Sequence, residues 1–152
     1  MKNISAYEST IWSSLIITVA ASLYFFAKVF GALAAGTPLD LPAIVRLGAA
    51  VVVILVAVEL AFKVAVSAWC KGELQTDERD RLIAAKSARN GYYVLIVVQF
   101  LLIGHLGMQS LFGRGPWLTM DAPTLLTFMI FALVLAEITH FSSRIVYYRL
   151  GS

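Results

Sequence analysis

Charged residues are scarce in this chain of 152 residues, where only 14% are Asp, Glu, Lys or Arg and 60% are hydrophobic. A soluble domain is usually about a quarter charged and about half apolar. The shortage of charge therefore excludes an ordinary soluble domain, and the abundance of apolar residues excludes a disordered chain. A mean hydropathy of +0.83 indicates an integral membrane protein.

Cysteine is nearly absent as well, and Cys70 is the only one. A single cysteine forms no internal disulfide, which excludes a secreted disulfide scaffold. The net charge of +3 is too small and too dispersed to suggest binding to nucleic acid. The sequence also has no G-x-S-x-G elbow, phosphate-binding loop or H-E-x-x-H motif. We therefore expect a protein without enzymatic activity, catalytic residues, cofactor or metal.

Long apolar stretches are what the chain has instead, over residues of about 9–35, 43–70, 90–113 and 123–148. Each could form a helix across a bilayer core of about 30 Å. The pattern predicts an all-α integral membrane protein in which residues 1–152 form one domain of four transmembrane helices. Lys28 interrupts the approach to the Ala32-Leu33-Ala34 triplet, so we expect the first stretch to be a membrane helix rather than a cleaved signal peptide.

Basic residues in the predicted loops are concentrated on one side of the membrane. If the N-terminus is cytosolic, the outer side holds only Arg46 and Arg114. The inner side then holds Lys2, Lys71, Arg79, Arg81, Lys86, Arg89 and Arg149. Cytoplasmic loops carry an excess of Lys and Arg. We therefore expect both termini to be cytosolic, with a bacterial inner membrane as the location.

The two halves of the chain share an order of landmarks. These are Phe30-Gly31, Asp40, Pro42, Glu59 and Lys71 in the first half, and Phe112-Gly113, Asp121, Pro123, Glu137 and Arg149 in the second. An Asp before a Pro in the first turn predicts a helix start. The match fits a tandem duplication of a helical hairpin, and it also fits the turns, caps and basic ends that every membrane hairpin needs.

The one sizeable polar stretch is the predicted cytosolic loop over residues of about 71–89. Its acids precede its bases, which predicts a helix that begins near residue 77, with Thr76 or Asp77 as its cap, and continues into the third span. Asn90-Gly91 is a candidate bend at the membrane boundary. The loop charges either fix topology as a solvated helix start or form a docking surface for a partner protein. The candidate contact residues are Asp77, Glu78, Arg79, Asp80, Arg81, Lys86 and Arg89.

This loop also resembles a known one. The string Asp77-Glu78-Arg79-Asp80-x-x-Ile83, with Gly91-Tyr92-Tyr93 at the start of a span, is similar to a loop shared by a family of small four-helix prokaryotic membrane proteins of unknown function. The resemblance covers the loop and the four-span plan, roughly a third of the chain. It implies the fold and brings no activity, ligand or catalytic residue.

Ionisable residues inside the predicted spans are the remaining candidates. Glu59 and Lys63 are spaced i,i+4 on the second helix, and Glu137, His140 and Arg144 follow one another along the fourth. Counting from the two prolines places both glutamates at comparable depth, which predicts one polar cluster of these five residues. Such a cluster is either an ion-pair network that fixes helix packing, a proton or cation relay, or a ligand sensor.

Haem and di-iron sites are disfavoured by the same residues. Glu137-x-x-His140 has the spacing of a di-iron motif, but Phe62 stands where the second histidine would be. His105 and His140 are predicted at different depths, which does not suit a bis-histidine haem site.

The sequence thus favours a small, non-enzymatic accessory or regulatory subunit. We expect it to lie in the lipid bilayer and to bind a partner protein, or a second copy, through its cytosolic loop and bundle surface. The alternative is a small proton- or cation-coupled transporter that uses the intramembrane Glu, Lys and His residues.

Overall fold

A computed structural model describes residues 6–69, 77–113 and 120–150. These residues form four α-helices: α1 (Ala6–Ala34), α2 (Leu41–Trp69), α3 (Glu78–Phe112) and α4 (Ala122–Leu150). Each helix is long and apolar enough to cross a membrane. The prediction of an all-helical chain with four helices of membrane-spanning length is confirmed.

Aspartates begin three of the helices. The Ala43 backbone N–H donates to Asp40 Oδ1 at 2.8 Å, and the Thr124 N–H donates to Asp121 Oδ1 at 3.0 Å. Asp77 caps α3 in a capping box, where its side chain accepts from the backbone of the first turn. The helix starts predicted at these aspartates are therefore confirmed.

Helix α3 is longer than a membrane span requires. Its 35 residues run without interruption from Glu78 to Phe112, a length of about 52 Å at 1.5 Å per residue. A bilayer core is about 30 Å thick, so the polar first turns would extend beyond it. This confirms the predicted helix from about residue 77 into the third apolar stretch, while loop residues 71–76 lie outside the described residues.

Helix α4 lies at the centre of the bundle, in contact with the other three helices, and α2 packs on α1 as well. Where α2 crosses these neighbours, Gly48 faces Phe25 and Ile130. Within the described ranges, no Cα atom of α3 comes within 8 Å of α1 or α2. The contact between α1 and α4 thus has no counterpart between α3 and α2, and the two hairpins pack differently. A tandem duplication stays a prediction.

The bundle has two distinct ends. We call the end with Gly36, Asp40, Gly113 and Asp121 the turn end. Gly36 and Gly113 have φ angles of 71° and 70°, in the left-handed region that glycine adopts without a steric penalty. The opposite end, where α3 begins and α4 finishes, we call the loop end. There the Arg149 guanidinium lies over the Trp12 ring at 5.5 Å.

The interior of the bundle is small, and the surface is strongly apolar. Phe25, Ile83 and Ala132 are almost fully buried. Large apolar side chains such as Leu23 and Val53 are about two-thirds exposed, as are many others on all four helices. Contiguous exposed apolar surface on this scale is typical of helices that face lipid or another protein.

Candidate functional site

The ionisable residues predicted to form one cluster are present as two pairs. On α2, Lys63 Nζ lies 3.6 Å from Glu59 Oε2. On α4, His140 Nδ1 lies 3.7 Å from Glu137 Oε2. These two ion pairs are the ones found among the described residues, and each lies within a single helix. Arg144 follows one turn beyond His140 and is half-buried.

Each pair places a charged group on the surface of the bundle. The Glu137 side chain is 59% exposed and the Lys63 side chain is 56% exposed, whereas their partners are more covered. Glu137 comes 15 residues after the start of α4 at Ala122 and 13 residues before its end at Leu150. A carboxylate therefore lies close to the midpoint of an apolar helix and faces outward.

The exposed carboxylate has apolar neighbours on its own helix face. Leu133, one turn before Glu137, is 54% exposed. His140 follows one turn later, and its ring stacks on Phe141 with ring centroids 5.0 Å apart. The pair is therefore a polar patch on an otherwise apolar surface. Among the described residues, no group of three or more His, Cys, Asp or Glu side chains could hold a metal ion.

Two of the predicted loop contact residues contribute to the fold at the loop end. The Asp77 side chain accepts from the Glu78 backbone N–H at 2.6 Å, and the Asp77 N–H donates to Asp80 Oδ2 at 3.2 Å. Asp80 Oδ1 also accepts a hydrogen bond from the Tyr148 hydroxyl. These two carboxylates hold the start of α3 in place and attach it to the end of α4.

The other five predicted contact residues lie on the opposite face of α3. The face that packs on α4 carries Ile83, Ser87 and Gly91, all buried. The outward face carries one acid and four bases, all exposed: Glu78, Arg79, Arg81, Lys86 and Arg89. The structure thus separates the loop charges into an inner acidic pair that serves the fold and an outer, mainly basic set, which we call the basic face.

Asn90 and Gly91 have a role that the sequence analysis missed. Asn90 Nδ2 donates to Ser143 Oγ at 3.2 Å and to the Tyr147 hydroxyl at 2.9 Å. A Cβ atom added at Gly91 would lie 2.8 Å from the Ala136 carbonyl oxygen. The α-helix is unbroken through both residues, so the candidate bend is a close contact between α3 and α4. The spacing of Asp80, Ile83, Ser87 and Asn90 along one helix face could have indicated it.

The two histidines lie far apart along the bundle. Gly91 faces the His140 Cβ atom. His105, which is buried, comes 14 residues later on α3. At 1.5 Å per residue, this places it about 21 Å further along the helix. The predicted difference in depth between the histidines is confirmed.

The chain was also compared with known proteins. No protein-family model, curated protein or solved structure matches it. The resemblance of the string from Asp77 to Ile83 to the loop of a prokaryotic membrane family therefore stays a prediction.

Proposed function

We propose that this chain is a non-enzymatic accessory or regulatory subunit of a bacterial inner membrane, with both termini cytosolic. It binds a partner protein through the surface around Glu137 and through the basic face of α3. The observation that carries this proposal is the outward-facing Glu137–His140 pair near the middle of α4.

The argument rests on the free energy of a charged group in lipid. An acidic or basic residue at the centre of a membrane helix costs about 2.5–3.5 kcal/mol on insertion scales, so such residues normally face other helices or a water-filled cavity. Glu137 faces away from the helices of its own bundle, with 59% of its side chain exposed. A polar group on a partner helix would remove this cost, which makes the surface a docking site within the membrane.

The basic face supports a second contact outside the membrane. Its helix is attached to α4 through Asp80 and Asn90, so its charges are held on a rigid element. The face has four bases and one acid, and it would complement an acidic surface on the cytosolic part of a partner. Complementary charge of this kind increases the rate and the specificity of association.

Transport of protons or cations is the alternative function. It requires the acids of α2 and α4 to act at one place, either within a chain or between copies. The two pairs, Glu59–Lys63 and Glu137–His140, lie on separate helices, and no described ion pair joins them. This arrangement favours the subunit over the transporter.

Purification of the tagged chain from its native membranes tests the proposal. We expect native mass spectrometry in mild detergent to show a stoichiometric complex with another protein. Glu137→Gln should release this partner, because the amide keeps the shape but removes the charge. The double variant Arg81→Gln with Lys86→Gln should weaken the complex and make it less sensitive to salt. Lys28→Gln, which removes an exposed charge from α1, is the matched control and should leave the complex intact.

Two results would overturn the proposal. A homo-oligomer without other proteins, combined with proton flux in vesicles that Glu137→Gln abolishes, would establish the transporter instead. A complex that survives both Glu137→Gln and the double variant would show that neither surface binds the partner.

A further inference from the structure

A cleft lies at the turn end of the bundle, between the last turns of α1 and the first turns of α2 and α4. It has a volume of 880 Å³, within the range of about 300–1,000 Å³ that is usual for sites of small molecules. We call it the turn-end cleft. It is remote from the loop end, where the basic face lies.

The walls of this cleft are aromatic and aliphatic. Four phenylalanines line it: Phe26, Phe30, Phe128 and Phe131. The Phe26 ring packs edge-on against Phe131, with centroids 5.7 Å apart, and stacks on Phe30 at 6.0 Å. Ile44 is 2% exposed and also contributes to the lining. Several ring faces are thus held together around one space.

The charge of the lining has a single sign. Asp40 and Asp121 both line the cleft, and both are exposed. Among the described residues of the lining, none is basic. The Thr124 side chain and backbone N–H donate to Asp121 and hold the pKa of its carboxyl below its usual value, so that Asp121 is ionised at neutral pH. The cleft therefore combines an apolar, aromatic interior with two carboxylates.

We infer that the turn-end cleft is a binding site for a lipophilic monovalent cation. Aromatic faces attract cations through the ring quadrupole, most strongly where water is excluded. The carboxylates of Asp40 and Asp121 add Coulomb attraction, and the aliphatic residues cover the apolar body of the ligand. An anion of the same shape would be repelled by both carboxylates, and a neutral molecule would gain nothing from them.

A pair of probes with the same shape and opposite charge tests this inference directly. Tetraphenylphosphonium is a lipophilic cation, and tetraphenylborate is its anionic counterpart. We expect the full chain in neutral detergent to bind the phosphonium saturably in equilibrium dialysis, and to bind the borate at least tenfold more weakly. The affinity for the phosphonium should also fall as the ionic strength rises.

Aspartate-to-asparagine variants separate the charge from the helix cap. Asparagine caps a helix about as well as aspartate, so Asp40→Asn and Asp121→Asn should remain folded. Each should weaken phosphonium binding about fivefold, which corresponds to roughly 1 kcal/mol for one pair of unit charges in contact in water. Asp77→Asn makes the same change at a helix cap of the loop end and should leave the affinity unchanged.

Three results would contradict the inference. The borate could bind as tightly as the phosphonium, the cleft variants could bind like Asp77→Asn, or added phosphatidylethanolamine could displace the phosphonium completely. The first two would remove the role of the carboxylates, and the third would make the cleft a site for membrane lipid. None of these results affects the partner contact proposed at Glu137, because the cleft shares no residue with it.

Discussion

A single methyl group at position 91 should force α3 and α4 apart. A Cβ atom built on Gly91 lies 2.8 Å from the Ala136 carbonyl oxygen and 3.2 Å from the His140 Cβ atom. The first of these neighbours is backbone in the middle of a helix, so it cannot move aside as a flexible side chain would. Gly91→Ala therefore requires one helix to shift relative to the other.

The size of the effect follows from two opposing terms. Overpacking a close contact destabilises a fold by about 1–3 kcal/mol. Replacing Gly by Ala inside a helix stabilises it by about 0.5–1 kcal/mol, through helix propensity. We expect the packing term to win, leaving Gly91→Ala less stable by about 1–2 kcal/mol.

A second glycine on the same helix provides the control. A Cβ atom at Gly104 meets no other atom within 4 Å, so Gly104→Ala keeps the gain in propensity without the clash. The free energies of unfolding of both variants would be measured by titration of mixed micelles with a denaturing detergent, followed by circular dichroism. The difference between the two variants isolates the packing term, because the propensity term is common to both. Equal stability of the two would refute the close approach of α3 and α4 at Gly91.

Three further predictions concern hydrogen bonds of the described residues. Asn90→Ala should destabilise the fold by about 1 kcal/mol in the same titration, because it removes both donors to α4. Tyr148→Phe should cost about 1.5 kcal/mol, since its hydroxyl donates to the charged Asp80. Thr124→Val should raise the pKa of Asp121 toward its usual value, measured by NMR titration of the carboxyl carbon. Because the pKa of Asp121 is lowered in the fold, this group stabilises the native state at neutral pH, and the contribution is lost as the pH falls through that pKa.

The helices could be predicted from the sequence because their signals are local. Apolar stretches of about 20 residues indicate membrane helices, and an aspartate at the start of such a stretch indicates a cap. Asp40, Asp77 and Asp121 all serve as caps. The long α3 was also predictable, because acids precede bases along its first turns.

The arrangement of the helices could not be read in the same way. Comparable depth predicted that Glu59 and Glu137 would share a cluster, but depth does not say which face of a helix points inward. In the structure α2 packs through Ile44 and Gly48 near its start, and Glu59 pairs along its own helix. Which helices touch depends on contacts between distant parts of the chain, and these leave a weaker trace in the sequence.

The roles of small and polar residues at helix contacts were hidden for a similar reason. Asn90-Gly91 has the composition of a bend, and it forms a close helix contact. Asp77 and Asp80 resemble surface charges, and they hold the loop end together. In each case the residue type allowed two interpretations, and only the position of α4 decides between them.

The central claim is that another protein covers the surface around Glu137, and photo-crosslinking tests it most directly. A photoreactive amino acid at Leu133, one turn before Glu137 on the same exposed face, would be activated in native membranes. The same group at Leu23, on the exposed surface of α1, is the control. We predict a discrete adduct with a different protein from position 133, none from position 23, and loss of the adduct in Glu137→Gln. Adducts with lipid alone from position 133 would contradict the account.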